Sequence, residues 1–144
     1  DLQEFATTAG PQGWSFAKNG NRGDNNPRSA IKVNGVAYPK GLGMHPPWRD
    51  CMRTCYALGK QAKTFSGAVA LNDDRIYGSP PTRFVVFGDD KLLWRSPSIS
   101  NRNHTETFTV DVSEVDVLEL RTYTETGLVT GALAVWLDPF VVKK

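Results

Sequence analysis

Residues 38–47 read YPKGLGMHPP and hold His45, one of two histidines in the chain. Gly41 and Gly43 stand before it, Pro46 and Pro47 after it. Glycine allows close backbone approach or positive φ, and a proline drives the preceding residue toward extended geometry. The stretch reads as a device that pins one imidazole at a strand end. Two roles fit such a side chain: contact with a ligand, or hydrogen bonding to backbone groups that closes a corner.

Catalysis demands more than one well-placed group. A hydrolytic triad needs a nucleophile, a base and an orienting carboxylate. His45 and His104 are the available imidazoles, and Ser66 lies in a strand-like run, not in a strained G-x-S-x-G elbow. Cys51 and Cys55 are near enough to His45 in sequence for a thiol–imidazole pair, but no spacing supports one. Asp73-Asp74 and Asp89-Asp90 are adjacent carboxylates. Neighbours on a strand face opposite sides, so neither pair is a natural acid–base couple. Both fall where turns are expected, and aspartate favours turns for local hydrogen-bond reasons. No catalytic constellation is complete, and the chain reads as a non-enzyme.

The loop NGNRGDNNPRS (19–29) offers Asp24, Asn25 and Asn26 as hard oxygen ligands for calcium. It lacks the D-x-D-x-D-G spacing, and a solvated turn cluster accounts for it better. Arg22-Gly23-Asp24 in the same loop is too short a motif to carry a function. Asn103-His104-Thr105 is a glycosylation sequon, meaningful only in a eukaryotic secretory pathway. Of the four tryptophans, Trp94 alternates with Leu92 and reads as core, and Trp136 lies in an apolar run. Trp48 follows two prolines and precedes Arg49 and Asp50, which makes it the tryptophan best placed for exposure beside polar groups. Aromatic faces of this kind either stack on a ligand or fill a core.

These groups need a scaffold. The chain has 144 residues, enough for one domain over residues 1–144 that folds without a metal or a disulfide. A net charge of +2 with scattered Lys and Arg gives no basic stripe for nucleic acid. No apolar run reaches the roughly 18 residues of a membrane span. The chain starts at Asp1 without Met, and both a mature protein and an excised domain fit that start. On a strand Cys51 and Cys55 would stand about 13 Å apart, too far to bridge. In a turn or helical loop they would be able to pair.

Short strands between turn signals dominate, with no long segment of helical period. IKVNGVAY (31–38) is a hairpin about Asn34-Gly35. TRFVVFGDDKLLWRS (82–96) is a second, bending at Gly88-Asp89-Asp90. KTFSGAVAL (63–71) puts Phe65, Val69 and Leu71 on one face. Residues 106–123 give two further strands either side of Ser113-Glu114. ALAVWLDPFVV (132–142) reads as a central strand buried on both faces and interrupted at Asp138-Pro139. WRDCMRTCYAL (48–58) reads as a short helix or as a loop entering a strand. The fold class is all-β, an antiparallel β-sandwich of the jelly-roll type with little helix.

Taken in order, YPKGLGMHP, TFSGAVALNDD, FVVFGDDKLLWRS, VDVSEVDVLELRTY and VWLDP resemble the NPCBM family of carbohydrate-binding modules over about residues 12–142. The resemblance implies a galactose-binding-like sandwich. It implies a non-catalytic accessory domain, attached to the catalytic or other domains of a larger bacterial protein that is secreted, periplasmic or at the cell surface. It implies galactose-type glycans as ligand and, in some relatives, a structural calcium. The family histidine falls on His45, its acidic turn on Asn72, Asp73 and Asp74, and its C-terminal tryptophan and aspartate on Trp136 and Asp138. Around them His45, Trp48, Arg49, Asp73, Asp74, Arg75, Tyr77, Trp136 and Asp138 form the expected ligand surface. The sequence departs from the family at Leu133, where a histidine is expected. Leucine cannot hydrogen-bond a hydroxyl, so the rival expectation is a structural or protein-interaction sandwich without sugar affinity.

Overall fold

The computed structural model describes residues 4–8, 16–22, 29–47, 51–74, 80–101, 103–126 and 133–144. Two five-stranded antiparallel sheets face each other. The first runs, in spatial order, β1 (Glu4–Thr8), β6 (Met52–Ala57), β11 (Val117–Thr124), β8 (Thr82–Gly88) and β9 (Lys91–Arg95). The second runs β10 (Glu106–Asp111), β7 (Ala62–Leu71), β12 (Ala134–Lys143), β5 (Leu42–Met44) and β2 (Phe16–Ala17). A separate hairpin is made by β3 (Lys32–Val33) and β4 (Val36–Ala37). Among the described residues no helix forms, and of the two readings of 48–58 the loop leading into a strand holds, with Met52–Ala57 as β6. That outcome keeps Cys51 and Cys55 as free thiols.

Both hairpins turn as their sequences dictate. Asn34 and Gly35 have φ of 51° and 76°, and Asp89 and Asp90 have 48° and 64°. Two consecutive left-handed residues make the tight turn whose twist matches antiparallel strands. Asp89 does more than turn. The backbone N–H groups of Asp116 and Val117 donate to its two carboxylate oxygens at 3.1 and 2.9 Å. The β8–β9 turn is thereby fastened to the start of β11.

The core lies between the sheets. Trp136 of β12 is 0% exposed and meets Phe84 of β8 and Phe108 of β10 edge-on, at 5.4 and 5.7 Å between ring centres. Trp94 stacks at a tilt on Phe108, as its core reading requires. Leu92, however, is 56% exposed. A bulge between Val86 and Phe87 sets Trp94 opposite Val86 and Leu92 opposite Phe87, so the two residues leave opposite faces of the sheet. Thr122 of β11, fully buried, ties the layers together, donating through Oγ1 to the Met44 carbonyl at 2.6 Å.

β12 is central, and up to Leu137 it is buried on both faces as its apolar run predicts, whereas beyond the interruption Phe140 and Val142 are exposed. Ala134 and Trp136 point inward, whereas Val135 and Leu137 pack outward against Ile31, Val33 and Tyr38 of the hairpin segment. At Asp138, with φ 42°, the register slips between Leu137 and Phe140. The strand bends there and resumes, with Gly67 of β7 opposite the extra residues, where a Cβ would meet Pro139 at 3.2 Å.

Gly43 of β5 faces the backbone of Arg22, where an added Cβ would lie 2.4 Å from the Arg22 carbonyl carbon. Gly43→Ala should lower stability by about 2–4 kcal/mol, because one chain segment must move. Urea denaturation of the variant checks this. The two amides also hold the Asp89 carboxyl below its ordinary range, as the Ser113 hydroxyl and N–H do for Asp111. A carboxylate with a lowered folded pKa stabilises the fold above its unfolded pKa and loses that contribution as pH falls through the folded value. Asp89→Asn should therefore flatten the fall of melting temperature with acid below about pH 4, a trend read from scans at stepped pH.

Candidate functional site

At one end of the second sheet three segments come level. The β12–β5 pairing sets Val135 against Gly43, and two residues further along each strand bring Leu133 beside His45. On the other side of β12 the Asn72 N–H donates to the Leu133 carbonyl at 2.8 Å. Asn72, Leu133 and His45 thus form a row across β7, β12 and β5. Strand alternation aims all three outward, since Leu71, Ala134 and Met44 beside them point into the core. His45 is half-buried, with its Nδ1 shielded from solvent.

The polar residues of this corner are engaged with the protein's own backbone. Asn72 is 1% exposed. Its Oδ1 accepts the Lys32 N–H at 2.9 Å and its Nδ2 donates to Asp74 at 2.6 Å. The Asp73 carboxylate accepts the Asn34 and Gly35 N–H groups, each at 2.8 Å. Asp74 pairs with Arg22 at 2.8 Å. These contacts hold the β3–β4 hairpin over the outer face of β7 and β12. Asp138 does similar work, accepting the Lys40 N–H at 2.9 Å.

The expected ligand surface is therefore revised. Trp136 is a correction: it is wholly enclosed by Phe84, Phe108 and both sheets, and no sugar face reaches it. Its place in an apolar central strand carried that signal. His45, Asp73 and Asp74 do share one corner, while Asp138 lies at the β12 bulge. Trp48, Arg49, Arg75, Tyr77 and the calcium candidates Asp24, Asn25 and Asn26 lie outside the described residues. Among the described residues no three His, Cys, Asp or Glu side chains gather as a metal cage. The second histidine is spoken for, with Nε2 2.6 Å from Glu106 of β10.

Sequence reasoning missed a different surface. On the outer face of the first sheet, Arg53 and Arg121 flank Glu119, which is 5% exposed, at 3.4 and 2.9 Å. Arg121 also lies over the Phe87 ring at 4.2 Å. The alternation Glu119-x-Arg121-x-Tyr123 was readable, but its partners come from strands far away in the chain.

Comparisons with known proteins agree with this architecture. The NPCBM/NEW2 domain model matches residues 2–141. A Renibacterium salmoninarum protein named "Putative endo-alpha-N-acetylgalactosaminidase" is 30% identical over 92 residues, 63% of this chain. The match spans 6% of that protein's length. The tandem CBM51 modules of Sp3GH98, a family 98 glycoside hydrolase of Streptococcus pneumoniae, superpose with a TM-score of 0.80 at 17% identity. That match covers 99% of this chain and 45% of theirs. The CBM51 of Clostridium perfringens GH95, solved with methyl-galactose, superposes at 0.77 and 16% identity. It covers 98% of this chain and 95% of that one. At these identities the solved structures establish the shared β-sandwich.

If Asp73 holds the hairpin, Asp73→Ala should expose the Asn34 and Gly35 amides to rapid hydrogen exchange. It should cost about 1–3 kcal/mol in stability, the scale for hydrogen bonds to a charged acceptor. Exchange mass spectrometry with a parallel denaturant melt reads both effects.

Proposed function

The chain belongs to the NPCBM/NEW2 domain family, and from this we propose that it is a non-catalytic carbohydrate-binding module for galactose-type glycans. It serves as an accessory domain that holds a larger bacterial protein on its glycan, outside the cytoplasm, in the periplasm or on the cell surface. The observation that carries the reading is the family match across nearly the whole chain. The corner supports it: His45 stands at a strand end between glycines and prolines, half-exposed, on the rim of a rigid scaffold. Trp48 and Arg49 follow His45 closely in sequence, and Arg75 and Tyr77 follow Asp74. In this reading His45 exchanges hydrogen bonds with sugar hydroxyls, the arginines donate forked bonds, and Trp48 or Tyr77 stacks on a sugar face. A calcium bound by Asp24, Asn25 and Asn26 would be structural and supply no chemistry.

One observation favours a second reading. Leu133, between Asn72 and His45, is apolar and 7% exposed, so the middle of the row offers no hydrogen bond. A sandwich that engages proteins instead of sugars accounts for that.

Binding of the purified chain to a broad glycan and polysaccharide panel, with calcium and with chelator, separates the two. The expected result is saturable binding to galactose-terminated glycans. His45→Ala should abolish it with the melting temperature unchanged. Silence of the folded protein across the panel would transfer the assignment to the interaction sandwich.

A further inference from the structure

The two sheets differ on their outer faces. The second is roofed by the β3–β4 hairpin, whereas the first carries an open groove beside Leu92, which is 56% exposed. Strand register gathers its side chains. Arg53 of β6 lies opposite Arg121 of β11, Arg121 opposite Val85 of β8, and Val85 opposite Arg95 of β9. One pair along, Glu119 lies opposite Phe87, and Phe87 opposite Leu92. The result is an open groove of about 360 Å³ lined by Val85, Phe87, Leu92, Arg95, Arg121 and Tyr123.

Charge and shape in this groove are unbalanced in one direction. Glu119 answers two guanidinium groups, those of Arg53 and Arg121. Arg95 is exposed and has no carboxylate partner among the described residues. The Arg121 Nε–H is enclosed and meets no acceptor. Among the described residues three arginines, Arg53, Arg95 and Arg121, stand with one glutamate on the outer face, and Asp90 at the nearby turn acts on Arg121 as a further carboxylate, so the balance stays positive. Beside them Leu92, Phe87 and Tyr123 present apolar surface, and Leu92 is turned outward by the bulge. An arginine fork next to an aromatic and aliphatic floor fits a planar anion carried on a ring with C–H faces.

We propose that this groove is a second glycan subsite, selective for a sugar that bears a carboxylate. That the ligand is a saccharide rests on the carbohydrate-binding reading above. That it is anionic rests on the groove alone, and no residue of the His45 corner takes part. Arg95 holds the carboxylate through parallel N–H bonds, and the ring lies over Leu92 and Phe87. Two kinds of acid sugar share this chemistry: a uronate within a polymer and a nonulosonate at a chain end.

Titration calorimetry at low salt tests the proposal with galacturonate oligosaccharides, 3′-sialyllactose, lactose and a sulfated oligosaccharide lacking carboxylates. At least one carboxylate ligand should bind, and which one does identifies the source. Arg95→Glu should weaken that binding about tenfold or more, the scale for losing a charge-assisted fork. Arg95→Lys should weaken it less, and His45→Ala should leave it intact. Both arginine variants alter an exposed edge residue, and a circular dichroism melt confirms their fold. Three results overturn the proposal: no carboxylate ligand bound, binding unmoved by Arg95→Glu, or a sulfated ligand bound in preference. Lactose binding lost in His45→Ala, with no carboxylate ligand bound by the unaltered chain, would leave the module reading standing while the groove falls.

Discussion

The structure depends on how a short hairpin is tied to a long strand. β12 runs through the middle of the second sheet with apolar side chains on both faces, and one face would meet water if the hairpin lifted. Asn72 and Asp73 prevent that by taking three consecutive-region amides, those of Lys32, Asn34 and Gly35. The carboxamide of Asn72 is buried and satisfied on both ends, so its removal would strand partners away from water. Everything seated on β12 inherits this fixity: Trp136 in the core, Leu133 in the corner row, and the bulge at Asp138.

Paired amide capture occurs twice. Asp73 grips a turn from the end of one strand, and Asp89 grips the approach to β11 from within its own turn. Each uses two carboxylate oxygens on two neighbouring N–H groups, a geometry that fixes both position and direction. The fold thus spends its conspicuous acidic pairs on backbone order.

Much of the architecture was legible because period and turn chemistry are local. Asn34-Gly35 and Asp89-Asp90 announced their hairpins, and the unbroken run before Asp138 announced a strand buried on both sides. The number of short alternating strands called for a sandwich, and the family resemblance agreed with it. The roles of Asp73 and Asp74 were not legible, since an acidic turn looks alike whether it faces a sugar or an amide 39 residues away in sequence. Trp136 was readable as core from its strand, but the family position drew it into the ligand set. The arginine row was invisible for another reason. Arg53, Arg95 and Arg121 are scattered in sequence, and only the register of four strands aligns them. Leu92 was hidden by a one-residue bulge that reverses the alternation.

The position of β12 also sets an order of events. It is the last strand in the chain and the one that joins β10–β7 to β5–β2. Until it arrives the second sheet exists as two fragments, and Trp136 is absent from the space between Phe84 and Phe108. Pairings as distant as Leu42 with Trp136 must close a long loop before they are rewarded. The second sheet is complete only with this ten-residue strand in place, and its apolar layers on both faces are sealed by the same element.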